Sequence, residues 1–371
     1  MSRGTGKITI WLSFSILILS AGLVSHVMAI PVILGVAGRD SWLAVIASAP
    51  LFLIWLLLIF GILKTARGQR LPDWLRRQFG IVPAWIFRLS AAVVLFVSGA
   101  YTLHDTAMWA VATYMQQTPL SVITVVPIVI AMMAAYGGIK SIAMTSSVLL
   151  PLVLLLGYFI MGSNMKYKDY GRLFPMLENG LEPMSHGLIY VMAALLEAWI
   201  LLLYQHELTT KLRWWHMVLL GIFLISMTLG PTIGAITEFG PAEAAKQRHT
   251  AFEQWKLLSL GTLLQHADFM SIYQWLCGAF ARLAISLYLI VDMLEVKKPR
   301  SRLIALSLVT VFMTVLSAWP WRDDQTLAYL QYVHFPSLLI YVLFITFVLG
   351  IAALISKRKE KKKNGSDAAR S

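Results

Sequence analysis

The sequence predicts an all-α integral membrane protein with ten transmembrane helices, and three observations predict it. Long apolar runs recur from Ile8 to Ser356. Of the 371 residues 58% are hydrophobic and 13% charged, far too few polar groups to cover the outside of a water-soluble fold. Only a short set of ionisable side chains, His26, Glu197, Asp268 and Arg282 above all, falls at membrane depth. In lipid every backbone amide must be satisfied within its own span. Each run is long enough for a helix rather than the roughly 9–11 residues of a barrel strand.

Apolar windows of about 20 residues place the spans near 8–37, 41–63, 83–103, 119–137, 141–161, 185–205, 214–237, 266–294, 303–321 and 334–356. The opening run has no A-x-A type cleavage site and continues into a second apolar half, so it reads as a retained span and not as a secretory signal. Span 1 is unusually long and carries Gly22, Ser25, His26 and Pro31 in its middle. Glycine and proline interrupt the helical hydrogen-bond ladder, which predicts either a broken helix near 22–31 or a proline kink in a tilted one. His26, beside that interruption, is suited to a ligand carboxylate or to pH sensing, or is a neutral ring satisfied by a carbonyl.

In span 3, Tyr101, His104 and Asp105 approach the interface and either close the mouth of a cavity or mark a hydrated helix end. The hydroxyls Thr145, Ser146 and Ser147 of span 5 have no base nearby in sequence and read as helix-packing groups. Glu197 is the lone carboxylate in the middle of span 6. It must be protonated, face a wet cavity and a ligand amine, or pair with a cation such as Arg282. In span 8, Asp268, Ser271, Trp275, Gly278 and Arg282 recur at three- and four-residue spacing and share one helical face, opposite Phe269, Ile272, Leu276, Phe280 and Leu287. A polar stripe inside a membrane helix looks into the bundle or a water-filled cavity, although hydration alone accounts for Asp268 if it lies at the span's end.

With ten spans both termini lie on the same side. Segments on that side hold 21 of the 31 Lys and Arg residues and the opposite loops hold eight, which predicts cytoplasmic termini. The net charge of +13 thus reports topology and attraction to anionic lipid, and excludes nucleic acid as the implied partner. Trp42, Trp74, Trp85, Trp214, Trp215, Trp319 and Trp321 fall near span ends, where interfacial anchors belong. Residues 1–356 form the membrane domain, and 357–371, highly basic, read as a disordered cytoplasmic tail. Cys277 is the single cysteine, so no disulfide is available. No H-E-x-x-H, G-x-S-x-G, Walker-type loop or cysteine pair at metal spacing is present, so neither catalysis, a metal nor a cofactor is expected.

The stretch Phe252-Glu253-Gln254-Trp255-Lys256-Leu257-Leu258-Ser259-Leu260-Gly261, continuing through His266 to Phe280, resembles the hallmark region of the endospore germination permease family, the B subunits of nutrient germinant receptors. Leu173-Phe174-Pro175 through Asn179-Gly180-Leu181-Glu182-Pro183, Gly38-Arg39-Asp40-Ser41-Trp42 and Thr118-Pro119-Leu120 are similar to that family as well. The resemblance implies an amino acid/polyamine/organocation (LeuT-like) fold, two inverted five-helix repeats with spans 1 and 6 broken around a central pocket.

It implies further that a small nutrient such as an amino acid binds between spans 1, 3, 6 and 8. Carried over by position, the lining would be Gly22, Ser25, His26, Tyr101, Glu197 and the span 8 residues Asp268, Ser271, Trp275 and Arg282. The implied partners are an A-type membrane subunit and a C-type lipoprotein in the inner membrane of the spore. One departure is visible: Val24, Ser25 and His26 stand where the family has a glycine-rich break, which would reshape the pocket. The alternatives are a secondary amino acid transporter on the same architecture, and a scaffold or conduit whose pocket is vestigial.

Overall fold

A computed structural model describes residues 7–66, 68–258, 267–319 and 321–368. Nine helical stretches among the described residues are long and apolar enough to cross a membrane. The first, Ile10–Ala66, has 57 residues, about 86 Å at 1.5 Å per residue, against a hydrocarbon core of about 30 Å. It therefore holds two crossings. They are divided at Gly38, whose φ of +53° suits a residue without a Cβ, followed by the turn Gly38–Asp40. The count of ten stands.

Spans 1 and 6 both leave α geometry halfway across. Span 1 runs as a helix Ile10–Leu23, passes through a π turn Val24–Met28 and resumes as Ala29–Ala37. Span 6 runs Leu181–Leu195, tightens into a 3₁₀ stretch Leu196–Ile200 and resumes at Leu201–Tyr204. Neither separates into two half-helices. The interruption expected near Gly22–Pro31 is a widened turn, because the π segment reroutes the hydrogen bonds while keeping the backbone paired in lipid.

The remaining spans are Ser41–Ala66, Ile81–Thr113, Leu120–Gly137, Ile139–Ser163, Trp214–Phe239, Met270–Met293 and Pro299–Ser317, with a tenth that begins at Asp323 and ends at Ala368. Their contacts come in pairs related by a shift of five spans. Span 3 packs on span 9 as span 8 packs on span 4, span 1 on span 5 as span 6 on span 10, and span 1 on span 7 as span 6 on span 2. Spans 2 and 7, and 3 and 8, join the halves directly. This is the pattern that two inverted five-helix repeats produce.

Three boundaries differ from the apolar windows. Span 3 continues ten residues past its window to Thr113, because His104, Asp105, Thr106 and Trp109 are buried against neighbouring elements and helix geometry remains satisfied there. Between spans 2 and 3, Leu71–Phe79 forms an amphipathic helix with Pro72 in its first turn and Leu71, Trp74 and Leu75 buried. The final helix is unbroken to Ala368, so the stretch expected as a disordered tail is helical through most of its length; its Lys, Arg and Glu residues are good helix formers.

Ion pairs gather at the two ends of the bundle. At the end carrying the termini, Arg70 pairs with Asp292 at 2.7 Å and donates from Nε to His206 Nε2 at 3.1 Å. Arg88 pairs with Asp73 at 2.9 Å and Glu295 at 2.7 Å. Ile8 N–H donates to the Glu207 carbonyl at 2.9 Å, and the Ser13 and Tyr204 hydroxyls meet at 2.9 Å, so the start of span 1 is tied to the end of span 6. At the opposite end Arg248, from the loop between spans 7 and 8, pairs with Asp105 of span 3 at 2.5 Å and donates to the Tyr101 hydroxyl at 3.2 Å.

Candidate functional site

Span 8 is the most enclosed element among the described spans, and its polar face divides between separate hollows. The first is a cavity of about 230 Å³ bounded by spans 1, 5, 7 and 8 and roofed by Ala251, Phe252, Gln254 and Trp255 of the loop helix Thr250–Lys256. Span 1 contributes Gly22 and His26, span 7 Met227 and Pro231, and span 8 Ser271, Gln274, Trp275 and Gly278. Small residues make the room. A Cβ on Gly278 would come 3.0 Å from the Leu23 Cβ and 3.3 Å from the Leu19 carbonyl oxygen, so glycine lets spans 1 and 8 approach closely here.

The walls of this cavity are held by hydrogen bonds between lining groups. Gln274 donates to the Val153 carbonyl at 2.9 Å and accepts from Trp255 Nε1 at 3.0 Å. Gln254 donates to the Pro231 carbonyl at 2.9 Å, which pins the roof to span 7. Ser271 donates to the Asp268 carbonyl at 2.6 Å, and Trp275 donates to Thr106 Oγ1 at 3.2 Å while stacking on Trp109 with ring centroids 4.2 Å apart. His26 Nδ1 lies 3.2 Å from the Met227 carbonyl.

A second hollow, about 810 Å³ and open towards the outside of the bundle, lies between spans 3, 9 and 10 and includes Tyr101, His104, Trp321 and Tyr329. A third, about 10 Å³, is a crevice among Ser20, Ser98, Ser286, Glu197 and Arg282. There Arg282 Nη2 meets Glu197 Oε1 at 2.7 Å and Arg282 Nε donates to Thr102 Oγ1 at 2.8 Å, with both charged side chains no more than 4% exposed. Deep in lipid, each charge is compensated by the other.

The residues singled out from sequence therefore separate. Gly22, His26, Ser271 and Trp275 share the first cavity. Ser25 is buried beside it, its hydroxyl 3.4 Å from the Gly22 carbonyl. Tyr101 lines the second hollow, and Glu197 and Arg282 the third. Asp268 accepts from the Tyr114 hydroxyl at 2.6 Å outside all three; burial, with that carboxylate beside it, pushes the Tyr114 phenol up, so it remains a donor. Of the three readings of Glu197, the ion pair with Arg282 is what the structure contains. Not anticipated were the roof residues Gln254 and Trp255 and the latch Arg248–Asp105. Gln254 and Trp255 belong to the block that carries the family resemblance, but no spacing rule links a loop helix to the helices it covers. Residues 259–266 of that block lie outside the described residues.

Among the described residues no group of three or more His, Cys, Asp and Glu side chains is placed to hold a metal.

Comparison with known proteins gives consistent results. The family model described as "Spore germination protein" matches residues 7–320. Spore germination protein XB of Bacillus anthracis is 35% identical over 346 residues, covering 93% of this chain and 97% of that protein. Spore germination proteins A2 and KB of Bacillus subtilis (strain 168) are 20% identical over 326 residues and 22% identical over 354 residues, and cover 86% and 90% of this chain and 87% and 91% of their own lengths. The crystal structure of MhsT in complex with L-phenylalanine matches with a TM-score of 0.67 at 12% identity, covering 94% of this chain and 97% of that one. At that identity the likeness concerns the fold, a LeuT-like transporter architecture.

Proposed function

The chain belongs to the spore germination protein family, and from that membership we propose that it is the B-type membrane subunit of a nutrient germinant receptor, which senses a small molecule in the cavity between spans 1, 5, 7 and 8. An amino acid is the ligand class that the family resemblance implies. The observation that carries the reading is that one hollow joins the π turn of span 1, the polar face of span 8 and the roof helix, whose residues 252–256 belong to the block that carries the family resemblance. Ligand binding there would bias an equilibrium between arrangements of these elements, which an A-type subunit and a C-type lipoprotein in the inner spore membrane would read out. Both termini face the cytoplasm in this proposal, as the distribution of basic residues supports.

The test fills the cavity. Gly157 lines it, and a Cβ there meets nothing closer than Gln274 Nε2 at 3.6 Å, so Gly157→Leu projects into the hollow without a backbone clash. Spores carrying Gly157→Leu should lose the nutrient-triggered fall in optical density while keeping the protein in the membrane, and Gly157→Ala should keep the response. An unchanged dose response in Gly157→Leu spores removes the cavity from sensing.

Secondary transport of the same ligand is the second reading. It is favoured by the ion-paired closures at both ends of the bundle, Arg70–Asp292 and Arg248–Asp105, on either side of the hollows. Net uptake of labelled nutrient by reconstituted protein would select transport; saturable binding without uptake would select sensing.

A further inference from the structure

The cavity's chemistry is at odds with the zwitterion of an amino acid. Its described lining contains rings (Tyr158, Phe223, Phe252, Trp255, Trp275) and the polar groups of His26, Ser226, Gln254, Ser271 and Gln274, and no Asp, Glu, Lys or Arg. Each Ser, Gln and Trp donor group of the lining already has one partner: Ser271 and Ser226 the carbonyls of Asp268 and Phe223, Gln254 and Gln274 those of Pro231 and Val153, Trp255 the Gln274 amide oxygen and Trp275 Thr106, which leaves the second N–H of each Gln amide. A ligand carboxylate would enter without a cation to meet it, and an ionised group buried in that state is strongly disfavoured. The mid-membrane charges Glu197 and Arg282 neutralise each other in a separate crevice.

His26 defines what the cavity accepts. A carbonyl has no hydrogen to give, so the contact between Nδ1 and the Met227 carbonyl puts the proton on Nδ1. In the neutral ring Nε2 is then an acceptor, which calls for an N–H or O–H on the ligand. The open wall points the same way. Tyr158 and Ser226 line the cavity and are at the same time exposed on the outside of the bundle between spans 5 and 7, so this wall gives onto lipid. Passage through lipid favours an uncharged molecule. A cavity of about 150 Å³ holds benzene, and the 230 Å³ here leaves room for a fused bicyclic ring.

We propose that the cavity between spans 1, 5, 7 and 8 receives an uncharged, flat aromatic heterocycle that stacks among Trp275, Trp255 and Phe252 and donates one hydrogen bond to His26. This rests on the cavity being the ligand site and replaces the amino acid as its occupant. Indole is the probe, since it has the ring and the N–H but no charge, while L-tryptophan adds the charges and 1-methylindole removes the N–H.

The full chain in lipid nanodiscs, assayed by equilibrium dialysis against empty nanodiscs, should bind indole saturably, 1-methylindole about tenfold more weakly, as loss of one hydrogen bond predicts, and L-tryptophan not at all. His26→Ala should weaken indole by the same factor and leave 1-methylindole unchanged, a readout that general unfolding would not produce. Saturable L-tryptophan binding that displaces indole overturns the uncharged class while leaving the receptor reading intact. Absence of saturable indole binding overturns it as well, and indole binding that survives Gly157→Leu overturns its location. Spores that still respond with Gly157→Leu would instead count against the receptor reading.

Discussion

Glu197 and Arg282 show what a single residue costs in lipid. Removing one partner of a buried ion pair leaves the other uncompensated, a loss of about 3–5 kcal/mol, whereas replacing both by neutral groups is often close to neutral. Glu197→Gln should therefore lower the thermal unfolding temperature sharply, and the double substitution Glu197→Gln with Arg282→Gln should recover most of it. If the double variant is no more stable than the single one, the pair does not act as a unit. His249, in the loop between spans 7 and 8, packs against Trp275 at a ring distance of 5.2 Å, and burial pulls its imidazole down to about 4 from 6.5. Because the folded state resists the proton, stability is complete above about pH 6.5 and falls as pH drops towards about 4, the window in which the unfolded chain is protonated and the folded chain is not. His249→Gln should flatten that slope between pH 7 and pH 5 in thermal unfolding scans.

At the scale of elements, the roof helix Thr250–Lys256 is held from below by Gln254 and from its leading side by Arg248 on Asp105. Arg248→Ala removes a partly buried charged contact and leaves Asp105 buried, so amide hydrogen exchange across 250–258 should quicken while the spans stay protected; unchanged exchange would show that Arg248 does not anchor the roof. Gly187 of span 6 sits where an added Cβ would come 2.7 Å from the Ala37 Cβ of span 1 and 3.2 Å from the Ala44 Cβ of span 2. Gly187→Val should force these spans apart and destabilise the protein by about 1–3 kcal/mol in thermal unfolding. Most elements were legible in the sequence because hydrocarbon thickness sets their length. The internal geometry of spans 1 and 6 was legible in the residues only as an interruption at Gly22–Pro31 and an isolated carboxylate at Glu197, with a break in both spans implied by the family resemblance, since periodicity does not distinguish a π turn from a kink or reveal a 3₁₀ stretch.

For the whole molecule, the same physics that made the spans readable hid the site. A polar residue in an apolar run announces that it must be compensated, but not by what: Arg282 and His26 stood out equally, and one proved to be paired inside the protein while the other borders a cavity. Which hollow each residue enters depends on contacts among spans distant in sequence, 1, 5, 7 and 8 around His26 and 1, 3, 6 and 8 around Arg282, and only the assembled bundle contains that information.

The 3₁₀ stretch Leu196–Ile200 has a mechanical corollary. Five residues in that geometry rise about 2.0 Å and turn about 120° each, against about 1.5 Å and 100° in an α-helix. Were they to relax to the commoner winding, the stretch would shorten and the lower half of span 6 would be drawn back towards it like a screw by about 2.5 Å while rotating by about 100°. Tyr204 would be carried off Ser13 and Glu207 off Ile8. The seam between the chain's first helix and its sixth is thus geared to the depth at which Glu197 sits.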